Sequence, residues 1–229
     1  MSCAICEERK EKRFCPAVHG RICPQCCGEQ REVTLDCPSG CPYLQQAREH
    51  ATAQNGLSKN QDRQAMYAEL EVPDVDIPEK FLYEREELIL GLSFALAKSA
   101  RADRSLMDRD LITAVSTLAG TYHTMANSSI IYEPSTTNLA HQSIVRNLAH
   151  EVEIMVREFR EAELRHIGQT HLRDSDVLKA LVFLLQLGLV RTSGRPKSRA
   201  FIDFLFVQFP ENKSALVSSE ETGSRIVIS

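Results

Sequence analysis

The sequence predicts a mainly α protein, in which a small cysteine-rich module precedes an all-α bundle of about five helices. The first observation is that all 8 cysteines lie between Cys3 and Cys41. The second is that apolar residues after Pro78 recur at the i, i+3/i+4, i+7 spacing of amphipathic helices. The third is that strands do not alternate with helices and no segment repeats, which argues against α/β and repeat architectures.

Composition limits the size and chemistry of the protein. A chain of 229 residues has room for one ordinary domain and a small module. Because it has no Trp and only 6% aromatic residues, its core must be mostly aliphatic. A net charge of −4 argues against a protein that coats nucleic acid with its whole surface, although a local basic patch is compatible with it.

The sequence predicts neither a signal peptide nor a membrane-spanning segment. Residues 1–8 lack the basic and apolar regions of a signal peptide. The longest apolar stretch, residues 180–190, is interrupted by Gln186 and Gly188 and is shorter than the ~18–20 residues of a membrane span. We therefore expect a cytoplasmic protein with no membrane partner. Reducing conditions there favour a metal site over a disulfide framework. An iron–sulfur cluster is not favoured, because the ferredoxin-type C-x2-C-x2-C run is absent from the sequence.

The spacing of the cysteines predicts zinc ligands. Zinc prefers four tetrahedral thiolate or imidazole ligands, and a Cys-x2-Cys turn supplies two of them. Three pairs are present, Cys3/Cys6, Cys23/Cys26 and Cys37/Cys41, and Cys15 is one member of a fourth pair. Eight ligands make two sites, so we expect two zinc ions. A module of about 45 residues buries little apolar surface, so the metal must supply much of its stability.

The eighth ligand and the pairing are open on sequence grounds. The partner of Cys15 is either Cys27, which gives two all-cysteine sites, or His19, which has good ligand spacing. Ligand counting favours Cys27. The order of the pairs favours an interleaved arrangement, with pairs one and three on one zinc and pairs two and four on the other. A sequential arrangement is the alternative.

The motifs of this module resemble those of known zinc fingers. The segments 13–16 (Arg-Phe-Cys-Pro) and 22–27 (Ile-Cys-Pro-Gln-Cys-Cys) are similar to cross-brace modules of the treble-clef sort, such as HIT, MYND and B-box fingers, and most of all to the HIT type. They also resemble N-terminal modules of uncharacterised bacterial proteins. After Cys27 the chain departs from the HIT and MYND pattern, because Cys37-x3-Cys41 replaces a closing His-x3-Cys. The resemblance covers about residues 1–50 and implies a protein-binding finger.

Four regions are predicted along the chain. The zinc-binding finger module spans 1–50 and a linker spans 51–77, where Asn55-Gly56 is a turn signal. The helical bundle spans 78–210. Residues 211–229 are rich in Ser and Glu and are predicted to form a flexible tail.

The first three helices of the bundle have clear signals. Pro78 suits the start of a helix at 79–102. Asp108 is a good N-cap for a helix at 109–125. Residues 138–167 carry the clearest helical periodicity of the chain.

The remaining elements are less regular. Residues 127–137 are predicted to form a loop whose apolar residues tuck onto the bundle: Ile130, Ile131 and Tyr132. A fourth helix begins after Asp174, and Gly188 ends or bends it. Residues 200–209 suit a helix slightly better than a strand, and Pro210 stops it.

No catalytic motif stands out, so we do not expect an enzyme. Glu163-x2-His166 has the spacing of di-iron bundles, but such sites need a second copy and two more glutamates. A solvated helix face is the better interpretation of this charged run. Nucleophile-elbow, P-loop and dinucleotide motifs are missing from the sequence.

One basic stretch is concentrated enough to bind phosphate. It carries four cations, at Arg191, Arg195, Lys197 and Arg199, and it follows an apolar run as in the helix-into-wing passage of winged-helix proteins. A solvated inter-helix loop is the favoured alternative. We therefore expect a zinc-binding, non-enzymatic adaptor with a protein partner. The second hypothesis is a nucleic-acid-associated regulator that uses the finger and this stretch.

Overall fold

The computed structural model describes residues 1–53, 61–128 and 139–211. Within these ranges the chain forms one antiparallel hairpin and nine helices. The N-terminal elements are β1 (Arg13–Cys15), β2 (Gly20–Ile22), α1 (Pro24–Gln30) and α2 (Pro42–Ala53). The others are α3 (Gln61–Ala68), α4 (Glu79–Glu84), α5 (Glu86–Ala102), α6 (Asp108–Ser128), α7 (Leu139–Ile167), α8 (Asp174–Arg191) and α9 (Ala200–Gln208).

The N-terminal unit, residues 1–53, is called the finger here. Its strands pair in the register Phe14↔Arg21. Cys23 is the N-cap of α1 and Pro24 occupies the first turn, where a missing N–H costs nothing. The buried apolar side chains of the finger are those of cysteines with Ile22, Leu35 and Leu44, which is little apolar surface for a folded unit.

The helical body confirms the predicted all-α bundle. Helix α6 packs against α7 and α8, α5 packs against α7 and α8, and α9 covers α5, α6 and α8. As the composition predicts, the largest fully buried side chains of the body are mostly aliphatic: Leu88, Leu92, Leu96, Leu111, Ile112, Leu148, Leu181, Leu184, Leu185 and Phe201. No helix among the described residues combines the length and the apolar character needed to cross a bilayer.

Gly188 corrects one prediction. It does not end α8, which continues to Arg191. A Cβ atom at this position would lie 3.0 Å from Ile112 Cγ1 and 3.1 Å from Phe201 Cε1. Glycine is therefore present because three helices approach closely there, and its helix-breaking tendency is overridden by packing.

Asp108 also differs from its predicted role. It is the first residue of α6, and its buried carboxylate accepts the backbone N–H groups of Phe201 and Ile202 and the hydroxyl of Ser198. It thus caps the N-terminus of α9. Residues 200–208 are helical, which settles the ambiguity between helix and strand.

The predicted linker is partly structured. Helix α3 lies within it and buries Arg63 and Met66, and the chain from Leu70 to Ile77 packs apolar side chains on the bundle core. The single helix predicted at 79–102 is divided at Arg85 into α4 and α5. Residues 54–60, the predicted apolar contacts of Ile130–Tyr132 and nearly all of the predicted tail lie outside the described residues.

Candidate metal centre

Four cysteines from two distant turns converge in the finger. The Sγ atoms of Cys3, Cys6, Cys23 and Cys26, called the first thiol cluster here, all lie within 4.8 Å of one another. A tetrahedral zinc with Zn–S bonds of about 2.3 Å holds its sulfurs about 3.8 Å apart. A small contraction of the cluster is enough to bind one ion. The cluster omits Cys15, which lies between the two pairs in the sequence, as an interleaved arrangement requires.

Backbone geometry builds the turn that carries the first pair. The N–H of Glu7 donates to the carbonyl of Cys3 at 2.8 Å, and the N–H of Cys3 donates to the carbonyl of Arg9 at 2.8 Å. Glu7 has a φ of 56°, in the left-handed region that closes a tight turn. The turn therefore presents both thiols of the Cys3–Cys6 pair from one short loop.

The second pair stands at the start of α1. The N–H of Cys26 donates to Cys23 Sγ at 3.4 Å, as to an N-cap acceptor. The N–H of Cys23 donates to Cys3 Sγ at 3.1 Å, which joins the two turns directly. Positive helix N-terminal groups and N–H donors favour the thiolate form that zinc binds.

The electrostatic environment of the first thiol cluster favours a bound cation. Burial disfavours the thiolate of Cys3, but N–H groups of Cys6, Cys23 and Ile5 outweigh it and lower the pKa of this thiol to about 6. The N–H of Cys26 likewise lowers the pKa of Cys23. Burial and the neighbouring thiols raise the pKa of Cys26 to about 12. Arg9, whose Nη1 lies 4.0 Å from Cys26 Sγ, supplies one positive charge. Four thiolates in this space need more positive charge than that, and a dication would supply it.

The other four cysteines line one small cavity of about 10 Å³. They are called the second thiol group here: Cys15, Cys27, Cys37 and Cys41. Burial raises the pKa of Cys37, and its neighbours Cys15 and Cys41 contribute to the rise. His19 is exposed and does not line this cavity. Of the described residues, only the first thiol cluster has its ligand atoms within metal-site distance, and all eight cysteines are free of disulfides.

The basic stretch contacts the finger. Arg195 donates from Nη1 to the carbonyls of Gly28 (2.9 Å) and Arg31 (2.7 Å), at the C-terminal end of α1, where a cation is favoured. Its Nε lies 3.8 Å from the Asp62 carboxylate. One guanidinium thus joins α1 to α3 and to the α8–α9 loop.

Lys197 makes a second connection between the loop and the finger. Its Nζ donates to the carbonyl of Thr34 at 2.9 Å and lies 2.9 Å from the Asp36 carboxylate. Its backbone N–H donates to the carbonyl of Glu32 at 2.8 Å. The segment from Glu32 to Asp36 is therefore fastened to the body by both main-chain and side-chain contacts.

The two outer cations of the stretch contact the body. The Arg191 guanidinium lies 4.2 Å from the ring centroid of Phe204. Arg199 donates from Nη1 to the carbonyls of Arg104 and Leu106. All four cations predicted to contact phosphate or a partner thus have intramolecular contacts. Those of Arg195 and Lys197 with the finger weigh against the stretch as a whole being a phosphate surface.

The contacts between the finger and the helical body, called the junction here, include an ion-pair network that the sequence does not reveal. Arg48 of α2 bridges Glu32 of the finger at 2.8 Å and Asp203 of α9 at 2.7 Å. Glu32 is 3% exposed and has a φ of 56°. Since Arg48 and Asp203 are 155 positions apart, no local pattern could have paired them.

Glu163 has a structural role instead of a metal site. Its Oε2 accepts the hydroxyl of Thr170 and the N–H groups of His171 and Leu172, and Arg85 lies 3.3 Å from Oε1. Its carboxylate caps the turn between α7 and α8. His166 is exposed and does not share these contacts.

Comparison with protein-family models, with curated proteins and with solved structures returned no match for this chain. The four-cysteine cluster is consistent with a zinc finger. Its type remains a prediction that rests on the motifs around Cys15, Cys23 and Cys26.

Proposed function

We propose that this chain is a zinc-binding, non-enzymatic adaptor whose finger is folded by structural zinc. The first thiol cluster carries this proposal, because its four ligand atoms fill all the positions of a tetrahedral ion. A site closed in this way leaves no position for water or substrate, which is the mark of structural zinc. The thin apolar core of the finger gives the metal a clear energetic role.

We assign a second zinc ion to the second thiol group. The four thiols come from β1, α1, the following loop and the residue before α2, so one ion would tie together every part of the finger. Their common cavity supports Cys27 as the eighth ligand, and the exposure of His19 weighs against the alternative.

Two substitutions test this ligand assignment. Cys27→Ser should lower the zinc content from two ions to one per chain, measured by elemental mass spectrometry on purified protein. His19→Ala is the matched control and should keep both ions. Loss of one ion in His19→Ala, with both retained in Cys27→Ser, would reverse the assignment.

A protein partner is supported by the surface of the finger. Phe14 is 56% exposed, and Val18 and Val33 are also exposed. Aromatic side chains are enriched at protein–protein interfaces, so Phe14 is the best anchor candidate of this surface. The resemblance to protein-binding fingers points the same way.

Affinity capture with the full chain as bait tests the adaptor function. Phe14→Ser should lose a protein that the wild type retains, whereas Val207→Ser, which changes an exposed side chain of α9, should keep it. Both variants should contain as much zinc as the wild type. If the same proteins are captured by all three baits, the finger is not the binding surface.

The nucleic-acid hypothesis makes a separate prediction. It requires affinity that falls steeply with salt and is lost when Arg195, Lys197 and Arg199 are all replaced by Ala. The internal contacts of Arg195 and Lys197 with the finger speak against it. Undetectable binding of DNA and RNA at low salt would eliminate it.

A further inference from the structure

A groove of about 530 Å³, lined by arginines and apolar side chains, lies between the finger and the body. One wall is the finger segment 37–39, Cys-Pro-Ser, which includes a member of the second thiol group. The opposite wall carries three arginines from the end of α5 and the start of α9: Arg101, Arg104 and Arg199. Phe206 and Pro210 add apolar surface.

The three arginines of the groove form no ion pair within the described ranges, although Asp103 beside the groove interacts electrostatically with Arg199. Within the described ranges, no carboxylate oxygen lies within 4.0 Å of any of their guanidinium nitrogens. The ion pairs of the described residues all involve other cations. Asp203 also lines the groove, but it is paired with Arg48 at 2.7 Å. Glu211, the other acid of the lining, is exposed at the rim. The groove therefore has an excess of positive charge.

Two of these guanidinium groups are held in place by the backbone. Arg199 donates from Nη1 to the carbonyl of Leu106 at 3.0 Å. Arg101 donates from Nη2 to the carbonyl of Phe209 and stacks over the ring of Phe206, 4.8 Å from its centroid. A guanidinium has five N–H donors, so each of these contacts leaves several donors for a ligand. Holding them in advance lowers the entropy cost of binding.

We propose that this groove binds an acidic peptide segment of the protein partner. This inference rests on the proposed adaptor function and names the partner's chemistry. Guanidinium groups match carboxylate and phosphoryl oxygens in a two-point geometry that few other side chains offer. Apolar surface from Pro38, Phe206 and Pro210 suits the hydrocarbon parts of a peptide more than a free ion. The proposed ligand is thus a peptide whose side chains carry carboxylate or phosphoryl groups.

Peptide binding to the zinc-loaded full chain tests the proposal. Three labelled peptides of equal length are compared by fluorescence anisotropy: one rich in glutamate, one with phosphoserine at those positions and one with glutamine. The first two should bind with an affinity that weakens as salt rises, and the glutamine peptide should not bind. The stronger of the first two identifies whether carboxylate or phosphoryl is the natural group.

Arg104→Gln is the sharpest variant, because Arg104 is exposed and its side chain makes no hydrogen bond or ion pair within the described residues. It should weaken acidic-peptide binding about tenfold, as expected for loss of a charged hydrogen-bonding group. Arg146→Gln removes an exposed arginine of α7 and should leave the affinity unchanged.

Three results overturn the proposal. They are no binding of either acidic peptide, equal affinity in Arg104→Gln and wild type, and tighter binding of a single-stranded oligonucleotide than of the peptides. The proposed adaptor function is tested separately, by measuring how many zinc ions the chain contains. A chain with two zinc ions that binds no acidic peptide refutes the groove alone, whereas a chain without zinc refutes the adaptor fold itself.

Discussion

The finger and the bundle are held together by different physical chemistry. The finger buries thiols with Ile22, Leu35 and Leu44, and each of its two strands has three residues. The bundle buries aliphatic side chains between long helices such as α7, which runs for 29 residues. In the proposed function, the finger depends on a few metal–ligand bonds, whereas the bundle depends on a large apolar area. The comparison teaches that each unit should respond to perturbations that leave the other intact.

Metal removal should have the largest effect, and it should be confined to the finger. Structural zinc contributes about 10–16 kcal/mol in small fingers, far more than a core of this size supplies. A strong chelator should abolish the hydrogen-exchange protection of β1, β2 and α1 while α8 stays protected. Equal protection of the finger before and after chelation would show that its fold does not need metal.

Truncation of a core side chain of the bundle should destabilise the bundle and leave the finger intact. Leu181 is fully buried in α8, so Leu181→Ala leaves a cavity and should lower the free energy of unfolding by about 2–5 kcal/mol. The measurement is thermal or denaturant unfolding followed by circular dichroism. Zinc content should be unchanged, and a variant that also loses zinc would show that the two units fold as one.

The junction between the two units should have an intermediate effect. Arg48→Gln leaves the buried Glu32 without its cation and should cost about 1–3 kcal/mol of stability. Arg21→Gln is the control, since Arg21 is 54% exposed in its ion pair with Glu11 and should cost less than about 1 kcal/mol. Equal losses in unfolding free energy would mean that Arg48 does not fasten the finger to the body.

The smallest effect concerns the turn between α7 and α8. Desolvation opposes ionisation of Glu163, but the N–H groups of His171 and Leu172 and the Thr170 hydroxyl lower its pKa below the usual 4.5. A depressed pKa in the folded state gives stability that is present above 4.5 and is lost as pH falls through the folded value.

The melting temperature of Glu163→Gln, compared with wild type across pH, measures this contribution. The difference should be largest at neutral pH and should shrink as pH falls below 4.5. Glu161→Gln, at an exposed position of the same helix, should show a small difference at every pH. If the difference in melting temperature between Glu163→Gln and wild type does not change with pH, ionisation of Glu163 does not contribute to stability.

Local patterns predicted much of the fold. Helical periodicity located the helices of the bundle, because each must bury one apolar face. Cysteine spacing located the first thiol cluster, because a Cys-x2-Cys turn fixes two ligands locally. Gly188 was misread, because helix propensity is a local quantity and the approach of Ile112 and Phe201 is not.

The junction was beyond sequence reasoning. Arg195 and Lys197 look like a free basic stretch, yet they contact carbonyls more than 160 positions away. A charged residue in a sequence does not reveal whether it meets water, phosphate or the end of another helix. Only the packed chain places α1 beside the α8–α9 loop, so a role as an internal fastener emerges from tertiary structure alone.

Native mass spectrometry of the full chain, purified without chelator, tests the central claim most directly. The account predicts a mass that exceeds the polypeptide by two zinc ions. Loss of one ion in Cys23→Ser and of the other in Cys41→Ser should assign them to the two groups of thiols. A metal-free chain whose eight thiols all react freely with a thiol reagent would contradict the account.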